Sequence, residues 1–180
     1  MNDGDDPIAG PFQVFDLTAR FALDVADLER RLLSLSREHH PDRAGPDPGV
    51  RAKATLRSAQ IHEAYSILRD PERRAEWLLV NAGGPSAEKD KSVPEGFLEA
   101  MLDLRMEVED ARVQGGKAVE TLESRFRGDL KRLRSEISSA MEDLDPDASS
   151  FQATATRARG FLNQLAYHKR LLADLRDEAH

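Results

Sequence analysis

Apolar residues recur at three- and four-residue steps along most of this chain, and the interruptions fall where proline and glycine gather. That pattern suits helices. Strand formers are sparse, with aromatics at 6%, whereas Ala, Leu, Glu and Arg dominate. At 180 residues there is room for one ordinary domain or two small ones. A hydrophobic share of 39% against a charged share of 33% matches amphipathic helices over a modest core. The expected fold class is all-α.

Residues 1–10 read as a flexible tail, and Phe12 to Leu17 as a short apolar piece of one or two turns. Asp24 is placed to cap the next helix, with Asp27 supplying a favourable charge near its positive end. Val25, Leu28, Leu32 and Leu35 share one face, and Arg30, Arg31 and Arg37 fall largely outside it. This helix must stop near His39, because Pro41 disfavours α geometry in the residue before it. Residues 40–50 hold three prolines and two glycines and predict a loop. A helix follows from about Arg51 to Arg69, with Ile61, Ala64, Tyr65 and Leu68 as its core stripe. Asp70-Pro71 ends it and opens another carrying Ala75, Trp77, Leu78 and Leu79, with Asp70 as N-cap and Pro71 at the first helical position.

Residues 83–93 are polar, rich in Gly, Pro, Ser and Lys, and read as a linker. Three longer helical patterns follow over about 94–113, 117–143 and 148–178, the last two separated by Asp145-Pro146-Asp147. Their spacing predicts an antiparallel three-helix bundle over 94–180, after an N-terminal domain over 11–82.

The formal charge of −7 argues against a duplex-binding role, which needs clustered Lys and Arg. With no cysteine, disulfides, thiolate metal sites, cysteine nucleophiles and a cluster held on the chain's own thiolates are all excluded. The start, Met1-Asn2-Asp3-Gly4-Asp5-Asp6-Pro7, lacks the basic-then-apolar order of a secretion signal. No apolar run approaches the roughly 20 residues of a membrane span. A cytoplasmic protein with neither nucleic-acid nor membrane partner is expected.

One tripeptide carries functional weight. His40-Pro41-Asp42 sits directly after one amphipathic helix, and the next helix ends in Ala64, Tyr65, Leu68, Asp70, Pro71 and Arg74, with Arg73 an alternative in the last place. A His–Asp general base needs a nucleophile or substrate pocket, and no Ser or Thr motif accompanies this pair. His39, His40, His62, His168 and His180 never take the HxxxH spacing that aims two imidazoles at one metal. No cofactor or metal site is expected, and the protein is expected not to be an enzyme. The context resembles the J-domain, in which two antiparallel helices present His-Pro-Asp at their connecting loop. The resemblance implies that the loop engages a DnaK-type chaperone and stimulates its ATP hydrolysis. Asp42 would make a charge-assisted contact, Pro41 hold the turn and His40 order the loop. Arg30, Arg31, Arg37 and Arg43 would supply a basic docking face.

The second half is similar to the HscB family, J-domain co-chaperones of iron–sulfur cluster assembly. Arg74-Ala75-Glu76-Trp77-Leu78-Leu79 resembles the end of that family's J-domain. Phe97-Leu98-Glu99-Ala100-Met101-Leu102-Asp103-Leu104-Arg105 resembles the first helix of its client-binding bundle, and Phe161-Leu162-Asn163-Gln164-Leu165 a stretch of its last. The absence of a Gly/Phe-rich segment and of cysteine repeats sets the chain apart from general-purpose DnaJ proteins. By the same resemblance the chaperone is HscA-like, the client is an IscU-type scaffold, and Leu98, Glu99, Leu102, Asp103, Met106, Asp110 and Phe161 are its binding positions. Glu99 stands where the family usually has an apolar residue, and Met106 where an acid is common. His39, Arg43 and His62 replace the usual Tyr, Lys and Asn. The missing cysteine module points to the bacterial type.

The first bundle helix bears on binding by itself. Phe97, Met101, Leu104 and Val108 suffice to face a bundle, and Leu98, Leu102 and Met106 form a second apolar stripe beside them. Asp103, Glu107 and Asp110 would rim that stripe. Such a helix is either buried on two sides or docks a partner. A closed bundle leaves little need for a dimer, so a monomer is expected.

Overall fold

In a computed structural model that describes residues 10–177, three helices of the N-terminal half begin where an aspartate side chain satisfies orphan backbone donors. The tail expected over 1–10 lies outside the described residues apart from Gly10. Asp24 accepts from the amides of Ala26 (2.9 Å) and Asp27 (3.1 Å), and Asp70 from Glu72 (2.8 Å) and Arg73 (3.2 Å). The chain forms α1 (Pro11–Val14), α2 (Val25–Glu38), a 3₁₀ turn (Pro41–Arg43), α3 (Pro48–Arg69), α4 (Pro71–Asn81), α5 (Phe97–Gln114), α6 (Gly116–Glu142) and α7 (Phe151–Asp177). No strand occurs among the described residues. The loop after α2 ends earlier than its composition suggests, because α3 starts at Pro48, one turn before Arg51. Asp47 makes this possible by accepting from the amides of Gly49 (2.7 Å) and Val50 (3.1 Å).

The contacts divide between two compact units, one ending at Leu78 and one beginning at Leu79. In the first, Phe12, Val14 and Phe15 of α1 pack with Leu28 of α2 and Ile61, Ala64 and Leu68 of α3. Trp77 closes over this core, its ring centroid 5.4 Å from that of Phe12. Val25, expected on the core stripe of α2, is exposed; it is the first residue of that helix. Arg74 is buried, donates to the Leu68 carbonyl and lies over the Phe21 ring at 5.1 Å. Burial pulls its guanidinium below the usual arginine range, and the nearby Asp70 opposes that shift. Arg73 instead lies at the surface, donating to Ser66 and to Glu63 Oε1. The place at the end of the Asp-Pro pattern is therefore filled by Arg74.

In the second unit the paired charges show which way neighbouring helices run. Glu107 meets Arg125 (2.6 Å) across α5 and α6, while Asp143 meets Arg157 (2.9 Å) and Glu123 meets Arg176 (2.8 Å) across α6 and α7. Both neighbouring pairs are antiparallel, which leaves α5 and α7 parallel. The reversal from α5 to α6 is a glycine pair, Gly115 at φ 66° and Gly116 at φ 48°, a left-handed geometry that disfavours any side chain. Leu104, Val108 and Ala111 of α5, Leu122, Phe126, Leu133 and Ile137 of α6, and Ala155, Ala158, Leu165 and Leu175 of α7 fill the core. His168 is buried among them and packs on Phe97 (5.9 Å) and Phe126 (6.4 Å).

Candidate functional site

Pro41 stands three residues after the end of α2, and its fixed φ suits the first position of a helical turn. The turn it opens, Pro41–Arg43, is capped from the preceding side: His40 Nδ1 accepts the Asp42 amide at 3.2 Å. That contact requires the neutral ring to carry its proton on Nε2. The Asp42 carboxylate, 3.7 Å from His40 Nδ1, is 89% exposed. His40 thus shapes the turn, and Asp42 is left facing solvent with unsatisfied acceptor capacity. A partner's guanidinium or ammonium is the natural complement of such a group.

The four basic candidates around this loop divide into two pairs. Arg30 and Arg37 are exposed, Arg30 pairing with the carboxylate of Asp27 (2.8 Å). Arg31 is committed internally: it donates from Nε to Asp27 (2.9 Å) and from one terminal nitrogen to the carbonyls of Phe15 (2.9 Å) and Asp16 (3.2 Å). The hydrogen bond from Arg31, helped by the charges of Arg31 and Arg30, holds the Asp27 carboxyl below its ordinary value. Arg43 donates to the Arg37 carbonyl (3.1 Å), satisfying an orphan acceptor in the last turn of α2. Arg31 therefore ties α1 to α2, and Arg43 ties the loop to α2.

On α5 the two apolar stripes separate. Phe97, Met101, Leu104, Val108 and Ala111 turn inward, while Leu98, Leu102 and Met106 are 54%, 63% and 58% exposed. At 3.6 residues per turn, the exposed stripe lies roughly 140° round the helix from the buried one. Val113, 89% exposed, falls on the same arc about two turns beyond Met106, a continuation that the three-residue pattern did not reveal. Glu99, Asp103 and Asp110 are exposed along one edge of the stripe, and Arg105 along the other. The Glu107 rim position is also exposed, with its carboxylate held by Arg125.

Phe161 lies on α7 and is half-buried. Two residues on, Asn163 bonds the carbonyls of Asp90 and Ser92, just ahead of α5, and Tyr167 meets Phe97 at 5.7 Å. The start of α5 and this part of α7 therefore occupy the same level of the bundle. Asn163 was not singled out by the sequence; its one signal was an amide set among core residues of α7. Among the described residues no group of three or more metal-ligating side chains gathers, and no helix is long and apolar enough to cross a membrane.

Known proteins share both halves of this arrangement. A family model described as DnaJ domain matches residues 13–77, and one described as HSCB C-terminal oligomerisation domain matches residues 93–176. A co-chaperone protein HscB homolog of Chromobacterium violaceum is 32% identical over 132 residues, covering 72% of this chain and 75% of that one. Another, of Pseudoalteromonas atlantica, is 30% identical over 167 residues, covering 91% and 95%. Among solved structures, chaperone HscB from Vibrio cholerae superposes with a TM-score of 0.74 at 23% identity, over 93% of this chain and 95% of that one. The human co-chaperone HscB gives a TM-score of 0.76 at 21% identity, over 95% and 82%. The two structures share the fold; the sequence relatives, matched over 72% and 91% of this chain, carry the assignment further. With a J-domain loop in its first unit and the HscB helical domain in its second, this chain belongs to the HscB family of J-domain co-chaperones.

Proposed function

We propose that the protein is an adaptor in iron–sulfur cluster assembly, delivering an IscU-type scaffold to an HscA-like, DnaK-type chaperone and stimulating that chaperone's ATPase. The observation that carries this reading is the exposed stripe of Leu98, Leu102 and Met106 on a helix whose other apolar stripe already fills the bundle. Exposed leucines in register along two turns cost free energy in water unless a partner covers them. The acidic edge of Glu99, Asp103 and Asp110 fits a partner surface bordered by Lys and Arg. Phe161 extends the contact onto α7.

The His40-Pro41-Asp42 loop, with Arg30 and Arg37, engages the chaperone. The ATP bond is broken in the chaperone, and this chain binds and orients. Joining two binding modules in one chain raises the effective concentration of scaffold at the ATPase, which adds to direct stimulation. The protein acts in the cytoplasm and needs no cofactor.

A binding experiment tests the client half. Leu102→Ala combined with Phe161→Ala should abolish scaffold binding in calorimetry while leaving the helical circular dichroism unchanged; undiminished binding contradicts the assignment. A second reading draws on the description of the matched C-terminal model as an oligomerisation domain. In that reading the α5 stripe pairs with a second copy. Sedimentation of the wild type and of Leu102→Ala separates the two, since only self-association gives a dimer that the substitution dissolves.

A further inference from the structure

The polar segment ahead of α5 is fastened to α7 by one side chain. Asn163 is 8% exposed, and its Nδ2 donates to the carbonyls of Asp90 (3.2 Å) and Ser92 (2.8 Å). A buried amide is costly unless its donors are used, and here both N–H bonds have an acceptor. Asp90 shapes the same turn by accepting the Ser92 amide at 2.8 Å, and hydrogen bonding from Ser92 holds its carboxyl below the ordinary value. The turn continues upstream, where the Lys89 and Asp90 amides donate to the Ser86 carbonyl (3.1 and 3.0 Å). Arg159, buried one turn before Asn163, adds its positive charge near Asp90. None of these groups belongs to the apolar core, and none is on the exposed stripe.

Their position gives them a purpose. Ser92 lies four residues before Gly96, the N-cap of α5, and Asn163 lies two residues after Phe161. The amide therefore fixes the approach to α5 against the stretch of α7 that carries Phe161. Phe97, seated on Tyr167 and His168, continues the same seam, and Leu98 is the next residue out. We infer that Asn163 is a positioning residue for the client face, setting the start of α5, and with it Leu98, in a fixed relation to Phe161. This rests on the reading of that face as the scaffold-binding site.

Calorimetry of the full chain with the cluster-free IscU-type scaffold tests it. Asn163→Ala should weaken binding roughly fivefold, the worth of about one net hydrogen bond. In a Leu98→Ala background the same substitution should change affinity by less than about twofold, because nothing remains to be positioned. In a Met106→Ala background, two turns farther along, the full effect should persist. General loosening of the bundle would cost the same factor in every background, and that result overturns the inference, as does unchanged affinity. Should Asn163→Ala melt the bundle, Asp90→Ala reads the same turn from its surface side. Roughly two- to threefold weaker binding with unchanged helicity is expected there, and unchanged affinity is the contrary result. Leu102→Ala is measured in parallel. If it weakens binding while the Asn163 and Asp90 variants do not, the clamp alone fails; if none does, the client-face reading fails.

Discussion

One peptide bond separates Arg30 from Arg31, and rather more than a quarter-turn of helix separates their side chains. The first points to solvent; the second reaches back to the carbonyls of Phe15 and Asp16. Arg31→Ala should therefore destabilise the first unit by about 1–2 kcal/mol in urea denaturation, through loss of charge-assisted hydrogen bonds. Arg30→Ala should change stability by under about 0.5 kcal/mol, since its ion pair is exposed, while reducing stimulation of the chaperone. Asp27 gives a second readout. Its carboxyl is depressed, so its contribution to stability is present above the ordinary value of 3.8 and is lost as pH falls through the lower, folded-state value. Arg31→Ala should move it back toward 3.8 in an NMR titration; no movement would contradict the contact. His40-Pro41-Asp42 was legible from sequence because three fixed residues between two periodic helices are a local pattern. That Arg31 and Arg43 serve the fold was not, since their acceptors are backbone carbonyls 16 and 6 residues away.

At the scale of the helix, α5 shows which signals the sequence carries well. Its apolar positions predicted two stripes, and periodicity alone left open whether both were buried. Packing decided it: α6 and α7 cover only one side. Leu104→Ala should cost about 2–5 kcal/mol, whereas Leu102→Ala should cost under about 0.5 kcal/mol and act on scaffold binding instead. Chemical denaturation beside calorimetry reads the contrast, and equal losses of stability would contradict the exposure of Leu102. Binding should also weaken as salt rises, because Glu99, Asp103 and Asp110 lie exposed along the stripe. Helix ends were less legible than faces. The pattern suggested a start near residue 94, but Gly96 at φ 75° puts a left-handed residue before Phe97, and the helix cannot extend back through it. At α3 the error ran the other way: Asp47-Pro48 is the same cap-then-proline signal as Asp70-Pro71, masked by the proline and glycine around it.

For the whole molecule, local periodicity and punctuation resolved the all-helical class and the succession of two helical regions, while the J-domain in the first was legible through the resemblance carried by His40-Pro41-Asp42 and its flanking helices. The sequence did not reveal that part of the polar stretch before α5 is tied to α7, since that tie depends on one amide meeting two carbonyls about 70 residues away in the chain. Each unit supplies one half of the proposed activity, and neither half alone accounts for an adaptor. Steady-state ATP hydrolysis by the HscA-like chaperone, measured with this protein in the presence and absence of the IscU-type scaffold, tests the two together. The account predicts stimulation by the protein alone, greater than additive stimulation when scaffold is added, and loss of both with Asp42→Asn. Stimulation that survives Asp42→Asn, or that is indifferent to scaffold, would contradict it.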